Sequence, residues 1–320
     1  MNRVVAAALA AALLAVPAAQ AQTYPAKNVL MIVPVQAGSG ADSILRIVTG
    51  KMAENLKQQI VVENVAGAAG LLGGERAARA PNDGYTIFGA NDGTLTMTPH
   101  LYQKVNFDPV GFEPVSLLAA INWVLITHPS MPVKNVKEFV ALGKARPKQI
   151  DYSSGGNGSP QHIAMEVFMA RTGVQFNHVP YRGATQAALD VVSGQVQTMF
   201  TATSIVLQYI QGGRVRALGV GSAQRFPGLP DVPTIAEGGL PGFEYSTWAG
   251  LYAPKGTSKA VVEKLNAEAV KAVRDPGVRE KLIALALEPV GSTPEELARR
   301  TRDGYERYGK LVRDIGIKPQ

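Results

Sequence analysis

Hydroxyl, amide and glycine residues are concentrated in residues 153–159, SSGGNGS, directly ahead of a segment with the pattern of an amphipathic helix. Pro160 suits the first position of a helix, so this loop would present free backbone N–H groups and hydroxyls at a helix N-terminus. The positive end of a helix suits a carboxylate, a sulfonate or a phosphate. Alternatively, Ser154 or Ser159 could act as a nucleophile with His162 as its base. The loop therefore predicts either the binding of an anion or a hydrolytic reaction.

Four more polar or glycine-rich loops follow strand-like runs, and several of them lead directly into helical segments. In an open α/β sheet, ligands bind outside the carboxyl ends of the strands, where such loops converge. Arg182 could grip a carboxylate through its planar guanidinium. It could equally face solvent while the N–H groups of Gly183 and Ala184 bind the ligand. The four loops are Val35 to Ala41, Asn64 to Gly74, Asn91 to Thr98 and Arg182 to Thr185.

The motifs of the common enzyme classes do not occur in the sequence. The histidines form no H-x-x-x-H pair, and no cluster of carboxylates accompanies them, which argues against a zinc site. There is no G-x-S-x-G motif and no phosphate-binding P-loop, and the glycines of residues 67–73 lack dinucleotide-binding spacing. We therefore expect neither a metal nor a cofactor and no catalysis, with a hydrolase built on Ser154, Ser159 and His162 as the enzyme alternative.

The N-terminus has the pattern of a secretory signal. Arg3 precedes an uncharged, alanine-rich stretch, residues 4–19, which runs into Ala19-Gln20-Ala21, a small-x-small cleavage site. Residues 1–21 are therefore predicted to be a signal peptide, and the mature chain is predicted to begin at Gln22. The chain has no cysteine, and an exported chain of this size can build its core without disulfides. The sequence predicts a periplasmic protein.

The distribution of charge argues against a nucleic-acid partner. The formal net charge is +7, but the lysines and arginines are scattered along the chain without a block of five or six. No DNA- or RNA-binding motif is present. The basic residues are therefore expected to form an ordinary solvated surface.

Strand-length apolar runs alternate with helix-period segments along the mature chain. The continuous apolar run of residues 29–33 suits a strand buried on both faces. The alternation restarts after residue 121, so it predicts two α/β units, each with a parallel sheet covered by helices. Thr293-Pro294-Glu295-Glu296 suits the start of a C-terminal helix, with Thr293 as its N-cap.

Paired crossings between the two units are predicted near residues 119–124 and 225–248, which would form a two-strand hinge. Lobe 1 would then contain residues 22–122 and 229–320, and lobe 2 would contain residues 123–228. Trp123 and Trp248 lie near this hinge. Their rings could hold an aromatic acid between them or could pack in the core of the hinge.

Seven stretches of the chain resemble, in order, the substrate-binding proteins of tripartite tricarboxylate transporters, the Bug or TctC-like family. The resemblance implies a type II periplasmic-binding-protein fold, with two α/β lobes, a two-strand hinge and a ligand cleft between the lobes. It implies capture of a small carboxylate that a membrane permease then receives. The stretches are YPAKNVLMIVPVQAGSGAD (24–42), VVENVAGAAGLLGG (61–74), PNDGYTIFGANDGTLTMTPHLY (81–102), DYSSGGNGSPQHIAMEVF (151–168), HVPYRGATQAALDVVSGQVQTMF (178–200), LPDVPTIAEGGLPGFE (229–244) and EPVGSTPEELARR (288–300).

The resemblance also implies where the ligand binds. Its loops contribute backbone groups, so glycines would set how closely the ligand approaches and hydroxyls would set specificity. The expected ligand-binding residues are Val35, Gln36, Ala37, Gly38, Ser39, Asn91, Asp92, Gly93, Thr94, Ser153, Ser154, Gly155, Asn157, Gly158, Ser159, His162, Tyr181, Arg182, Gly183, Ala184, Thr185 and Thr201.

Two departures from the family pattern bear on the ligand. Relatives usually carry Asp-Asn after the QTMF stretch, where this chain has Thr201-Ala202, and loss of the acidic group argues against an amino-acid ligand. The first loop reads PVQAGS, where relatives usually show Pro-Phe-x-x-Gly-Gly. The sequence leaves di- and tricarboxylates and aromatic carboxylates open. If each lobe held one carboxylate, a diacid would bind better than its monoacid analogue.

Two hypotheses describe the partner of the chain. The resemblance implies the permease subunits of a tripartite transporter, and a membrane receptor in a ligand-sensing role is the alternative. We expect the chain to bind its ligand as a monomer.

Overall fold

The computed structural model describes residues 24–314 and residue 319. The predicted signal peptide and Gln22 lie outside the described residues. Among the helices that are described, none is both long enough and apolar enough to cross a membrane.

Strands and helices follow the alternation that the sequence predicts, and the strand expected over residues 29–33 and the helix expected after Ser159 are both present. The strands are β1 (Val29–Val33), β2 (Ile60–Asn64), β3 (Thr86–Asn91), β4 (Glu113–Ile121), β5 (Trp123–Thr127), β6 (Asp151–Ser154), β7 (Asn177–Pro180), β8 (Thr198–Ala202), β9 (Arg216–Val220), β10 (Thr247–Ala253) and β11 (Leu287–Pro289). The helices are α1 (Gly40–Leu56), α2 (Leu71–Ala78), α3 (Asp92–Thr96), α4 (Val136–Ala145), α5 (Pro160–Thr172), α6 (Ala184–Val192), α7 (Thr203–Gln211), α8 (Lys259–Arg274), α9 (Pro276–Ala284) and α10 (Pro294–Asp314). Thr293 Oγ1 accepts the N–H of Glu296 at 3.2 Å, as the predicted cap requires.

The strands form a six-stranded sheet, ordered β11-β4-β10-β3-β1-β2, and a five-stranded sheet, ordered β7-β6-β8-β5-β9. β1 is parallel to β2 and β3, and β6 is parallel to β7 and β8. However, β10 is antiparallel to β3 and β4, and β5 is antiparallel to β8 and β9. Both sheets are therefore mixed rather than parallel throughout. The physical reason is that β5 and β10 each enter their sheet from the other lobe.

The two sheets are joined by the predicted two-strand hinge. β4 continues directly into β5, and Ile121 at the end of β4 pairs with Thr247. The N–H of Gly221 donates to the carbonyl of Trp123 at 2.7 Å, and the N–H of Tyr245 donates to the carbonyl of Gly221 at 2.8 Å. The Trp123 indole N–H donates to Thr247 Oγ1 at 2.8 Å. The hinge is thus tied by backbone and side-chain hydrogen bonds together.

Residues 229–246, which the sequence assigned to lobe 1, pack against the five-stranded sheet. Thr234 forms a bridge with Val220 of β9, and the Tyr245 hydroxyl donates to the carbonyl of Pro160 at 2.8 Å. Arg171 of α5 donates to the carbonyl of Pro241 at 3.0 Å. We therefore propose that lobe 2 extends to residue 246 and that lobe 1 resumes at β10.

The apolar core runs from one lobe to the other through the hinge. The same buried cluster contains Met31 of β1, Trp123 at the crossing and Phe168 of α5. Trp123 packs edge-on against Tyr245 with ring centroids 5.2 Å apart. Trp248 instead joins a separate lobe-1 cluster with Tyr252. Both tryptophans are therefore core residues. Trp123 packs in the core of the hinge, which is one of the two alternatives that the sequence left open.

Helix α2 packs so closely against Pro34 and Val65 that a side chain on Gly73 would overlap them. A Cβ on Gly73 would lie 2.8 Å from Pro34 Cα and 2.8 Å from the carbonyl oxygen of Val65. We expect Gly73→Ala to lower the free energy of unfolding by about 1–3 kcal/mol through overpacking. The matched control is Gly50→Ala, an exposed position in α1 with no atom within 4 Å, which should raise stability by about 0.5–1 kcal/mol. Equal urea-unfolding midpoints for the two variants would contradict this packing.

Candidate functional site

A cavity of about 680 Å³ lies between the two lobes, and we call it the interlobe cavity. It brings together three of the five predicted loops: Val35–Ser39 after β1, Asn91–Gly93 at the end of β3, and Arg182–Thr185 after β7. Residues 64–74 and 153–159 do not line it. The loops that do are distant in sequence, so the cavity is a product of the topology.

The first cavity loop is held from behind by a buried carboxylate. Asp42 is 2% exposed, and its Oδ2 accepts the N–H of Gly38 at 2.8 Å and Arg46 Nε at 2.9 Å. The Asn64 amide donates to Asp42 Oδ1 and to the carbonyl of Val35, both at 2.9 Å. Burial by itself would raise the pKa of Asp42, but these hydrogen bonds and Arg46 hold it below its usual value. The loop is therefore rigidly positioned.

Lobe 2 presents helix N-termini that have no side-chain cap. The N-cap residues are Gly183 for α6 and Ala202 for α7, and neither helix has an acidic residue in its first turn. Both N-caps line the cavity, and so does Arg182. An uncapped N-terminus offers unpaired N–H groups and partial positive charge. This side of the cavity is therefore suited to an anion.

The loop 153–159 supports the cavity wall instead of forming it. Ser153 Oγ donates to the carbonyl of Ala187 at 2.9 Å, and Ser159 Oγ accepts the N–H of His162 at 3.3 Å as the N-cap of α5. The first bond ties β6 to α6, and the second caps α5, whose first residues Pro160 and Gln161 do line the cavity. The hydroxyls that the sequence offered to a ligand are thus used to fix the backbone.

The remaining members of that loop have similar local roles. The N–H of Gly158 donates to His162 Nδ1 at 3.1 Å, and Asn157 is exposed to solvent. A Cβ on Gly155 would lie 3.2 Å from the N atom of Ala184, so Gly155 allows α6 to approach the loop. These residues position their neighbours and do not border the interlobe cavity.

Three other expected ligand-binding residues also point elsewhere. Thr94 Oγ1 donates to Asn91 Oδ1 at 2.8 Å, and the Tyr181 hydroxyl donates to Asp190 Oδ2 at 2.6 Å. Thr201 is buried in β8, and its Oγ1 has no hydrogen-bond partner among the described residues. Successive strand residues point to opposite faces, so the neighbour of Thr201, Ala202, reaches the cavity in its place.

The structure does not assemble the hydrolytic alternative. Ser154 Oγ lies 2.6 Å from Nε2 of His178, not of His162, and Ser154 is fully buried away from the cavity. The rings of His162 and His178 stack with centroids 4.2 Å apart. Burial, and then the nearby His162, lower the pKa of His178 to about 4, which makes it a weak base. This histidine pair, which sequence spacing did not reveal, supports the loop that precedes α5.

Asp92 is a buried carboxyl at the lobe-1 wall of the cavity. It is 3% exposed, and its Oδ1 has no hydrogen-bond partner within the described chain. Burial disfavours the charged form and raises the pKa of Asp92 to about 7, against a smaller opposing effect of the backbone N–H groups of Gly93 and Trp248 and of Arg307. Lobe 1 therefore contributes a carboxyl, and lobe 2 an arginine, to the same cavity.

Sequence reasoning missed several residues of the wall. Trp123 lines the cavity as well as packing in the hinge, whereas Trp248 does not reach it. Met97 lies within the predicted loop Asn91 to Thr98, and Ala202 follows the expected residue Thr201 at the end of β8, so both positions carried a usable signal. Tyr308 comes from α10 and has no such signal. The wall residues that were not among the expected ligand-binding residues are Gly40, Ala41, Met97, Ile121, Pro160, Gln161, Gln186, Ala202, Ser204, Ile205, Tyr245, Thr247 and Tyr308.

Comparison of the sequence with known proteins identifies the family of the chain. The sequence profile described as "Tripartite tricarboxylate transporter family receptor" matches residues 44–317. The chain belongs to this family. A relative from Pseudomonas sp. (strain P51), described as a UPF0065 protein in the tcbD-tcbE intergenic region, is 40% identical over 90% of this chain and 86% of its own. The family resemblance inferred from the sequence is confirmed.

Solved structures that are similar to this chain confirm the type II periplasmic-binding-protein fold. The periplasmic binding protein BugD is 33% identical, with a TM-score of 0.79 over 93% of this chain and 100% of BugD. Rpa4515 of R. palustris, solved with adipate, is 29% identical, with a TM-score of 0.82 over 93% of this chain and 100% of its own. MatC from Rhodopseudomonas palustris, solved with malate, is 31% identical, with a TM-score of 0.78 over 90% and 100%.

Asp92 should make stability depend on pH in a defined direction. Its folded pKa of about 7 lies above its ordinary value of 3.8, so the folded state keeps a proton that the unfolded chain has released, and stability falls as pH rises between these values. We expect Asp92→Asn to gain stability relative to the wild type as pH is raised from about 5 to about 8. Urea unfolding at each pH measures the difference. Asp231→Asn, at an exposed position, is the control, and a pH-independent difference for Asp92→Asn would contradict the assignment.

Proposed function

We propose that the chain is a solute-binding protein that captures a small carboxylate in the interlobe cavity and passes it to the membrane permease of a tripartite transporter. The observation that carries the proposal is the convergence of Arg182 and the uncapped N-termini of α6 and α7 on one cavity. Backbone N–H groups and a guanidinium are the usual donors to carboxylates. Two similar proteins, solved with adipate and with malate, support this ligand class.

Capture proceeds by closure of the two lobes about the hinge. The ligand first docks through its carboxylate on the lobe-2 N-termini, and lobe 1 then closes over it and excludes water. Exclusion of water strengthens each charge-assisted hydrogen bond, because the local dielectric falls. The loop that contains Gly38 is already fixed by Asp42, so it completes the cavity without having to be ordered on binding. Less conformational entropy is therefore lost when the ligand binds.

The protein works in the periplasm, as a monomer, and leaves its ligand unchanged. The signal pattern of residues 1–21 supports export, and BugD is itself a periplasmic binding protein. The absence of catalysis is supported by the burial of Ser154 away from the cavity.

A thermal-shift screen of the mature chain, beginning at Gln22, tests carboxylate capture. The protein is first unfolded and refolded to remove any bound ligand. The panel contains aliphatic di- and tricarboxylates, aromatic mono- and dicarboxylates, acidic amino acids and nicotinate. A ligand that binds only the folded state raises the melting temperature with its concentration over Kd. We expect a shift with a carboxylate that is recovered intact, and no shift with any member would contradict the proposal.

Arg182→Gln tests the lobe-2 site within the same protein. Loss of a charge-assisted hydrogen bond should weaken binding of the best carboxylate about tenfold. Arg214→Gln, an exposed position outside the interlobe cavity, serves as the control and should bind normally. Calorimetric titration measures both. Unchanged affinity in Arg182→Gln would mean that Arg182 faces solvent, which is the alternative the sequence left open.

A further inference from the structure

The interlobe cavity contains a buried carboxamide that forms no hydrogen bond with the described part of the chain. The carboxamide belongs to Gln161, which lines the cavity and is 7% exposed. Its Oε1 and Nε2 are not sealed within the protein, as the unpartnered Oγ1 of Thr201 is, and the open space beside them is the cavity. Buried polar side chains are usually hydrogen-bonded. A bound ligand would supply the partner that this amide lacks.

The backbone that carries Gln161 is fixed on both sides. Ser159 Oγ accepts the N–H of His162 at 3.3 Å and so caps the helix. The Tyr245 hydroxyl donates to the carbonyl of Pro160 at 2.8 Å. A ligand that meets the Gln161 amide therefore does not have to order this turn, and less conformational entropy is lost on binding.

The carboxamide lies beside the N-terminus of α6. A Cβ built on Gly155 would lie 3.2 Å from Gln161 Oε1 and 3.2 Å from the N atom of Ala184, so these two atoms are close to each other. Ala184 is the first residue of α6, and the N-cap, Gly183, forms no side-chain hydrogen bond with the helix. With a ligand carboxylate bound at this N-terminus, the Gln161 amide meets the atoms of the ligand that are next to the carboxylate.

A carboxamide has hydrogen-bonding needs that a carboxylate alone cannot meet. The amide has two N–H donors and a carbonyl acceptor, whereas an ionised carboxylate only accepts. A hydroxyl group both donates and accepts, so it can pair with either side of the amide. When closure of the lobes excludes water, an amide oxygen that is left without a donor costs free energy. The amide therefore favours a ligand with a hydroxyl next to its carboxylate.

An ammonium group at the same place would lack a counter-charge. It could donate to the amide oxygen, but it would lie beside the positive end of α6. Of the described residues, Asp92 is the only aspartate or glutamate that lines the cavity. Burial raises the pKa of Asp92 to about 7, which disfavours its charged form. A buried cation without a paired anion is unfavourable, so the cavity favours a hydroxyl over an ammonium group.

We propose that Gln161 is a specificity-determining residue of the interlobe cavity and that the cavity selects 2-hydroxy carboxylates, an inference that rests on the proposed function. The carboxylate of the ligand binds at Arg182 and the N-terminus of α6. The hydroxyl on the adjacent carbon pairs with the carboxamide of Gln161. The remainder of the ligand, aliphatic or aromatic, extends into the rest of the cavity.

Matched pairs of acids test this inference on the unmodified mature protein. Malate and succinate differ only in the 2-hydroxyl group, and so do citrate and tricarballylate, and mandelate and phenylacetate. Calorimetric titration of the ligand-free protein should find the hydroxy acid at least about tenfold tighter in each pair that binds, because a site that pairs with a hydroxyl discriminates against the analogue without it. Malate should also bind at least about tenfold more tightly than aspartate, which has an ammonium group in place of the hydroxyl.

A preference below tenfold in any of these comparisons overturns the inference and leaves carboxylate capture standing. The inference is equally overturned if none of these acids binds while another carboxylate of the screen, without a 2-hydroxyl, does. Failure of the proposed function has a different outcome. If no carboxylate of the pairs or of the screen bound, the cavity would not be a carboxylate site, and both proposals would fall.

Gln161→Met isolates the amide, since methionine keeps the length of the side chain and removes its hydrogen-bonding atoms. It should lower the hydroxy-to-deoxy affinity ratio at least about fivefold. Gln208→Met, at an exposed position outside the cavity lining, is the matched control and should leave the ratio unchanged. The ratio is insensitive to a general loss of folded protein, which affects both acids equally. An unaltered ratio in Gln161→Met overturns the role of Gln161, and the wild-type pairs decide the inference by themselves if the variant does not fold.

Discussion

The backbone hydrogen bonds at the crossing, in which Gly221 donates to Trp123 and accepts from Tyr245, constrain the whole molecule. They hold the two chain segments that pass between the sheets in one register. As a result the carboxyl ends of the parallel strands of both sheets face the same gap. The loops after β1, β3 and β7 meet there although more than a hundred residues of chain separate the first from the last. β5 and β10 run antiparallel to their neighbours because each of them enters its sheet from that gap.

The two lobes treat the same physical problem, the unpaired N–H groups of a helix N-terminus, in different ways. In lobe 1, Ser39 Oγ caps α1 by accepting the N–H of Asp42. The Asp42 carboxylate fixes the loop before the helix through the N–H of Gly38, and its charge is balanced by Arg46. Lobe 2 leaves them without side-chain caps at Gly183 and Ala202. The N-terminus of α1 thus has a side-chain cap that the N-termini of α6 and α7 lack.

Local patterns in the sequence predicted the local features well. Strand and helix positions, the hinge crossings and the loops at 35–39, 91–93 and 182–185 all follow from periodicity, turn residues and caps. Side-chain direction was less accessible, because a shift of one residue exchanges the faces of a strand, as Thr201 and Ala202 illustrate. The serines of 153–159 have ligand-binding chemistry, yet their hydroxyls are used by neighbouring backbone groups. Which of these uses prevails depends on distant packing, such as the stack of His162 on His178.

Contacts between residues that are distant in sequence could not be predicted either, because they too depend on distant packing. Residues 229–246 have no periodicity of their own and are held to lobe 2 by contacts such as that of Tyr245 with Pro160. Tyr308 reaches the cavity from a helix near the end of the chain. Such contacts are properties of the assembled topology. The order of patterns along the chain indicates which helices and strands form, but not how far apart they lie in the fold.

The apolar core that passes through Trp123 and Tyr245 has a mechanical meaning. Atoms close to an axis of rotation are displaced little when the bodies on either side turn. Dense packing at the crossing is therefore compatible with a wide movement at the rim, where the lever arm is long. The same packing couples the lobes during folding, because neither can complete its hydrophobic surface without the other. The molecule can thus be bilobal in shape and motion while remaining a single cooperative unit in its thermodynamics.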